Sequence, residues 1–166
     1  MVYGPNDRTG SRSPTRADIV RLARSLNEQG ARYTLIGGIA MAFHGYARGT
    51  RDIDLLVDPS EENVALLKTA LAILEDGASR DLKVTDIAAY GVVRVADEIV
   101  VDLLGAACNV QFQDIADEIE FFELDGVEIP VLSPRALMKT KQTVREKDAI
   151  DCQFLAGLID DEVPRG

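Results

Sequence analysis

Histidine, cysteine and long apolar runs are scarce in this chain, and each scarcity closes off a class of function. The one histidine, His44, lies in a short apolar stretch, so a Ser-His-Asp triad is not expected, and His44 is read as a packed or loop-bonding residue. Only two cysteines occur, Cys108 and Cys152. Their separation fits no metal-binding spacing, and both are expected as reduced core thiols. No apolar run approaches the roughly 20 residues that a bilayer span needs. Residues 1–13 are polar and carry no apolar signal core, so the expected location is cytoplasmic, with no membrane partner. The Gly-x-x-x-x-Gly-Lys-Ser/Thr phosphate loop and the Gly-x-Gly-x-x-Gly dinucleotide fingerprint are both missing. Basic residues are outnumbered, 18 against 28 acids, for a net charge of −10. That balance argues against a general nucleic-acid coat, because the phosphate backbone demands basic surface.

What is present suits a folded enzyme-sized domain. With 166 residues and 46% hydrophobic content, the chain can bury one core. The charge is unevenly spread. Residues 1–24 hold five Arg against Asp7 and Asp18, residues 135–147 hold five basic residues against Glu146, and residues 111–130 hold seven acids and no base. A local basic channel in an acidic protein and a set of solvated helix faces account for this pattern equally well.

Residues 1–13 are expected to form a flexible arm, and residues 14–160 one domain. Ser13-Pro14 resembles an N-cap followed by Pro at the first helical position, and the spacing of Ile19, Leu22, Ala23 and Leu26 predicts a helix to about Glu28, ended by Gly30. Tyr33 to Ile36 is a strand running into Gly37-Gly38, and Ile39 to His44 is a short helix. Asp52 to Val57 is a second strand, and Pro59-Ser60-Glu61-Glu62 opens another helix. Two hairpins follow, one around Ala96-Asp97-Glu98 and one around Asp125-Gly126. Ser133-Pro134 then opens a helical segment reaching about Ile159, with room for one break. Strands and helices mixed in this order predict an α/β (α+β) fold, a mixed sheet with helices packed on it and a C-terminal helical segment.

The chemistry concentrates in Gly37-Gly38 and Asp52-Ile53-Asp54, with thirteen residues between Gly38 and Asp52. Two carboxylates two apart on a strand point to one face, roughly 6–7 Å apart at Cα. Ile53, Leu55 and Val57 then face the core, and the aspartates face a cleft. Like charges so placed repel, and a bound cation is the usual compensation. Carboxylates at this spacing suit a pair of divalent ions about 3.5–4 Å apart, and hard oxygen ligands favour Mg²⁺. A glycine pair lets backbone N–H groups approach a phosphate closely. Asp102, inside the apolar run Ile99 to Leu104, is costly there without a partner and fits as a third ligand, or as acceptor of the proton from an attacking hydroxyl. A lone Asp-x-Asp would read as solvated acids at a strand end. The combination with the glycines, Thr50 and Asp102 favours a metal–nucleotide site. A second cluster, Lys139, Lys141, Arg145, Lys147, Asp148 and Asp151, divides evenly between a triphosphate grip and surface ion pairs. Lys141, Arg145 and Asp148 share one face only if the segment is one helix.

These motifs resemble the DNA polymerase β-type nucleotidyltransferase superfamily. The residues that carry the likeness are Leu35-Ile36-Gly37-Gly38, Gly45, Arg48 to Val57, and Val101-Asp102-Leu103-Leu104. Within the superfamily, the pattern Lys141…Arg145…Lys147-Asp148…Asp151 is most similar to small bacterial abortive-infection toxin-type enzymes. The likeness runs from about Tyr33 to Leu155. It implies Asp52, Asp54 and Asp102 as catalytic residues and ligands of two Mg²⁺ ions, with nucleotide phosphates held by Gly37, Gly38 and Lys141, and with Arg145 in the same grip. Many members carry serine where this chain has Gly38, so Thr50 or Arg48 is the expected substitute. The implied reaction is Mg²⁺-dependent transfer of a nucleoside monophosphate from an NTP, ATP among the candidates, to a hydroxyl of an RNA 3′ end, a protein or a small molecule, with release of pyrophosphate. The rival reading is a toxin–antitoxin or regulatory binding module on the same fold, with a cognate antitoxin as partner and little or no catalysis.

Overall fold

The computed structural model of the protein describes residues 2–3 and 10–162. The elements are β1 (Val2–Tyr3), α1 (Arg16–Gln29), β2 (Tyr33–Ile36), α2 (Gly37–Phe43), β3 (Asp52–Val57), α3 (Glu61–Leu71), α4 (Asp86–Tyr90), β4 (Val92–Ala96), β5 (Val100–Leu104), β6 (Ala106–Ala107), β7 (Val110–Gln111), α5 (Phe112–Ile115), β8 (Ile119–Leu124), β9 (Val127–Leu132), α6 (Pro134–Lys139) and α7 (Glu146–Glu162). Seven strands form one mixed sheet in the order β1-β4-β5-β3-β2-β9-β8, and β6 and β7 form a separate two-stranded ribbon. β3 and β5 run parallel, while β2 and β4 lie antiparallel to them on either side. The mixed sheet, the packed helices and the C-terminal helical segment are as the sequence predicts.

Period-2 patterning sets the two faces of the sheet. Ile53 and Leu55 of β3 are fully buried, and Ile19, Leu22, Ala23 and Leu26 of α1 enclose a narrow space with them, Leu35 and Ile129. Burying such side chains stabilises each by about 1.5–3 kcal/mol relative to exposure. The alternate residues of β3, Asp52 and Asp54, therefore leave on the opposite face.

Helix ends follow local chemistry. α1 begins two residues later than Ser13-Pro14 suggests, because Thr15 and Asp18 form a reciprocal capping box: the Asp18 amide donates to Thr15 Oγ1 (3.3 Å) and the Thr15 amide to Asp18 Oδ2 (2.7 Å). Gly30, with φ 69°, closes the helix as expected. Of the expected arm, residues 1 and 4–9 lie outside the described residues. Within it, β1 pairs with β4, Ser11 Oγ donates to the Asp97 carbonyl (2.6 Å), and the Arg12 amide donates to the Glu98 carbonyl (2.9 Å). Ser133 caps α6 as predicted, with Pro134 in its first turn. The helical segment then breaks at residues 140–145. Lys141 and Arg145 thus sit in a turn rather than on a helix face with Asp148, which removes the shared-face premise.

The thiols also depart from expectation. Both cysteines are free, but Cys108 is exposed in the β6–β7 turn at φ 49°, and Cys152 is half-buried on α7, so neither is a core residue. The β6–β7 ribbon and the short helices α4 and α5 carry too few periodic residues to stand out in the sequence. Among the described residues, no helix is long and apolar enough to cross a membrane.

Candidate active site

Register brings the acids together. On the parallel pair β3–β5, Asp54 lies opposite Asp102, and on the antiparallel pair β4–β5, Arg94 lies opposite Asp102. Residues opposite one another share a face, so Asp54, Asp102 and Arg94 form one row, with neighbouring strands about 4.8 Å apart. Asp52, two residues before Asp54, joins the same face. Asp102 is buried at 8% exposure, whereas Asp52 and Asp54 are half-buried.

Arg94 is the cation of this row. Its Nε donates to Asp102 Oδ1 and its Nη2 to Asp102 Oδ2, both at 2.9 Å, and Nη2 also reaches Asp52 Oδ2 at 3.0 Å. The hydrogen bond to Asp102 and the charges of all three aspartates hold the guanidinium well above its ordinary pKa. Asp54 receives no such fork. Burial first, then the charges of Asp102 and Asp52, push its carboxyl up to about 7, against the opposing pull of Lys141 and Lys147. Among the described residues, no three or more His, Cys, Asp or Glu side chains are grouped closely enough, as they stand, to hold a metal ion. The Arg94 guanidinium instead spans Asp102 and Asp52.

Arg94 was not singled out from sequence. The signal is there in retrospect: Val93 and Val95 are apolar and fully buried, so Arg94 between them must face the other way, and the hairpin about residues 97–98 sets it against Asp102.

The glycine turn meets the acids directly. Ile36, the last residue of β2, lies opposite Asp54, and Gly37 follows at φ 68°. A Cβ at Gly37 would stand 2.2 Å from Asp54 Oδ2, so only glycine fits. A Cβ at Gly38 would stand 3.2 Å from Thr50 Cβ and 3.6 Å from Arg48 Nε, which sets both candidate substitutes for the missing serine against the turn. Thr50 Oγ1 donates to the Asp52 carbonyl (2.8 Å) and so braces the start of β3.

The C-terminal cluster docks on this region through one acid. Asp151 of α7 is fully buried; Arg48 Nη1 donates to its Oδ1 (2.7 Å), and Lys141 Nζ lies 3.0 Å from its Oδ2. Lys141 is itself 6% exposed, so its ammonium is already engaged. Arg145 pairs instead with Asp148 (2.8 Å), and the Lys139 ammonium lies 3.5 Å from Glu118 on the surface. His44 is outside the site. Its Nε2 contacts the Leu132 carbonyl (2.8 Å), and its ring meets Phe122 edge-on, as the packed reading expects.

Comparison with known proteins bears on the fold and on the family. None of the curated proteins searched matches the chain. A solved structure from Thermotoga maritima, provisionally described as a nucleotidyltransferase, aligns with a TM-score of 0.50 at 15% identity, covering 90% of this chain and 98% of its own. At that identity the likeness speaks to the fold. The family described as nucleotidyl transferase AbiEii toxin, type IV toxin–antitoxin system, matches residues 20–163. On that match, which spans most of its length, the chain belongs to the AbiEii nucleotidyl transferase toxin family and is a nucleotidyltransferase.

Proposed function

We propose that the protein transfers a nucleoside monophosphate from an NTP to a hydroxyl acceptor, using Asp52, Asp54 and Asp102 as the ligands of divalent metal ions, Mg²⁺ by preference. The observation that carries this reading is the row in which Asp54 lies opposite Asp102 while the Gly37 turn closes on Asp54 Oδ2. Three carboxylates supply only hard oxygen donors, and among the described residues no cation forms an ion pair with the half-buried Asp54, although the charges of Lys141 and Lys147 reach it. A divalent ion fits that donor set. When bound, it supplies Lewis-acid activation of the attacking hydroxyl and neutralises charge on the leaving pyrophosphate.

The chain's own residues do the rest. The backbone at Gly37 and Gly38 holds the phosphates against the acids, with Thr50 and Arg48 at hand beside Gly38. Lys141 and Lys147 contribute positive charge near Asp54, and Lys141 is kept in place by Asp151. The acceptor oxygen bonds to the α-phosphorus, the bond from that phosphorus to the pyrophosphate oxygen breaks, and the hydroxyl proton passes to Asp102. The fork of Arg94 occupies one lone pair on each Asp102 oxygen and leaves the others open for this. Positioning and preorganised charge carry the rate. The family match supports a nucleotide substrate and a type IV antitoxin as counterpart in the same system. The domain of the transferase spans residues 14–160 in this reading.

The test is incubation of the protein with Mg²⁺ and each α-labelled NTP, together with total RNA and whole-cell protein. Label should enter one pool, vanish with EDTA and fall by at least about 10³-fold in Asp54→Asn, as expected when a charged group essential to the transition state is lost. The same variant should melt a few degrees higher without metal, because it removes one of three adjacent negative charges. No label in any pool with any base would contradict the reading.

A further inference from the structure

The Arg94 guanidinium lies where the proposed reading requires divalent cations to act. Its side chain is 29% exposed, and it holds its two acids unequally. Asp102 receives a two-point fork at 2.9 Å, a geometry that adds strength and direction. Asp52 receives a single bond at 3.0 Å from a nitrogen already shared with Asp102. Asp52 is also the more exposed of the pair, with its side chain at 31% against 12% for Asp102. The contact to Asp52 is thus the weaker and the better hydrated of the two, and the one that can be exchanged at smaller cost. Breaking the fork to Asp102 would leave a carboxylate buried in an apolar strand without its partner.

We propose that Arg94 is a resident counter-cation that competes with the divalent metal: it spans Asp52 and Asp102 in the metal-free protein, gives up Asp52 when metal binds, and stays forked on Asp102 as a positioning residue. The device keeps three adjacent carboxylates from repelling one another before substrate arrives. It also makes metal affinity lower than the bare acids would give, so that productive metal binding draws on the charge the nucleotide brings. This inference rests on the metal reading of the three aspartates and adds how that site is regulated.

The test measures metal binding itself, not turnover. Free Mn²⁺ is counted by electron paramagnetic resonance during titration of the EDTA-stripped full chain without nucleotide, and melting temperatures are taken with EDTA and with saturating Mn²⁺. Arg94→Gln should bind Mn²⁺ about tenfold tighter than the parent, melt lower in EDTA, and gain more on adding Mn²⁺. Asp54→Asn placed on Arg94→Gln should cancel the gain. Arg94→Lys, which keeps the charge but cannot fork, should fall between the two and serves if Arg94→Gln does not fold. Unchanged or weaker Mn²⁺ binding by Arg94→Gln, with binding by the parent intact, would overturn the competition and leave the metal site standing. A gain that survives Asp54→Asn would also overturn it, since the ion would then lie elsewhere. Absence of Mn²⁺ binding by both parent and Arg94→Gln would count against the metal site itself, and the role of Arg94 would fall with it.

Discussion

Gly37 shows how narrow the tolerances are at single residues. Its φ of 68° is unfavourable for any side chain, and its missing Cβ leaves the space into which Asp54 Oδ2 projects. Gly37→Ala should therefore lose on both counts, destabilising the fold by about 1–3 kcal/mol and turning Asp54 away from the row. Gly38→Ala meets the Thr50 side chain at 3.2 Å and Arg48 Nε at 3.6 Å, with no positive φ to strain it, and should be the milder change. Urea denaturation and label-transfer rates on the two variants measure both effects, and equal behaviour would contradict the close approach at Gly37. At this scale the acids were legible in the sequence. Asp52 and Asp54 stood out through their combination with the glycine pair, Thr50 and an aspartate inside Ile99 to Leu104. Arg94 was not singled out, because a single arginine in a strand is ordinary until the hairpin register places it opposite Asp102.

Between elements, two acids do the joining. Asp151 ties α7 to the loop before β3 through Arg48 and to the turn after α6 through Lys141. Removing a fully buried acid that balances two cations leaves both uncompensated, so Asp151→Ala should cost about 3–5 kcal/mol and loosen α7. Hydrogen exchange along residues 146–162 would report it, and a loss confined to activity would contradict the anchoring role. Asp18 acts at the other end of the chain. Hydrogen bonding by Arg12 outweighs burial and, with the Thr15 bonds, holds its carboxyl well below 3.8 in the fold. The unfolded chain thus takes up a proton more readily than the folded one, and the stabilisation from Asp18 is complete above about pH 5 and fades as the pH falls through the acid range. Asp18→Asn should be destabilised by about 1–3 kcal/mol at pH 7 from loss of a cap and of charged hydrogen bonds, and in equilibrium unfolding the gap should narrow as the pH falls below 3.8. The helix caps, strands and both hairpins follow from local patterns. The start of α1 does not, because Ser13-Pro14 and Thr15-x-x-Asp18 are both valid starts, and the reciprocal bond decides between them. The break at residues 140–145 coincides with the buried pairing of Lys141 with Asp151, a tertiary contact that no helical periodicity encodes.

Across the whole molecule, the sheet order β4-β5-β3-β2 lines up four strands so that one face is core and the other is site. That order was not derivable from spacing alone. The likeness to polymerase β-type enzymes implied a mixed sheet but no strand order, and the parallel pairing of β3 with β5 is what makes Asp54 and Asp102 neighbours. An acidic protein of net charge −10 nonetheless gathers cations near the three aspartates: Arg48, Lys141 and Lys147 lie close by, while the acidic run of residues 111–130 falls largely on α5, β8 and the β8–β9 turn. The central claim is that three carboxylates from two adjacent strands, with the glycine turn on Asp54, form one metal–nucleotide site. Crystals grown with Mn²⁺ and a non-hydrolysable NTP test it most directly through the anomalous signal of the metal. The account predicts a peak ligated by Asp52, Asp54 and Asp102 with the triphosphate against Gly37 and Gly38. A nucleotide bound with its metal away from all three aspartates would contradict it.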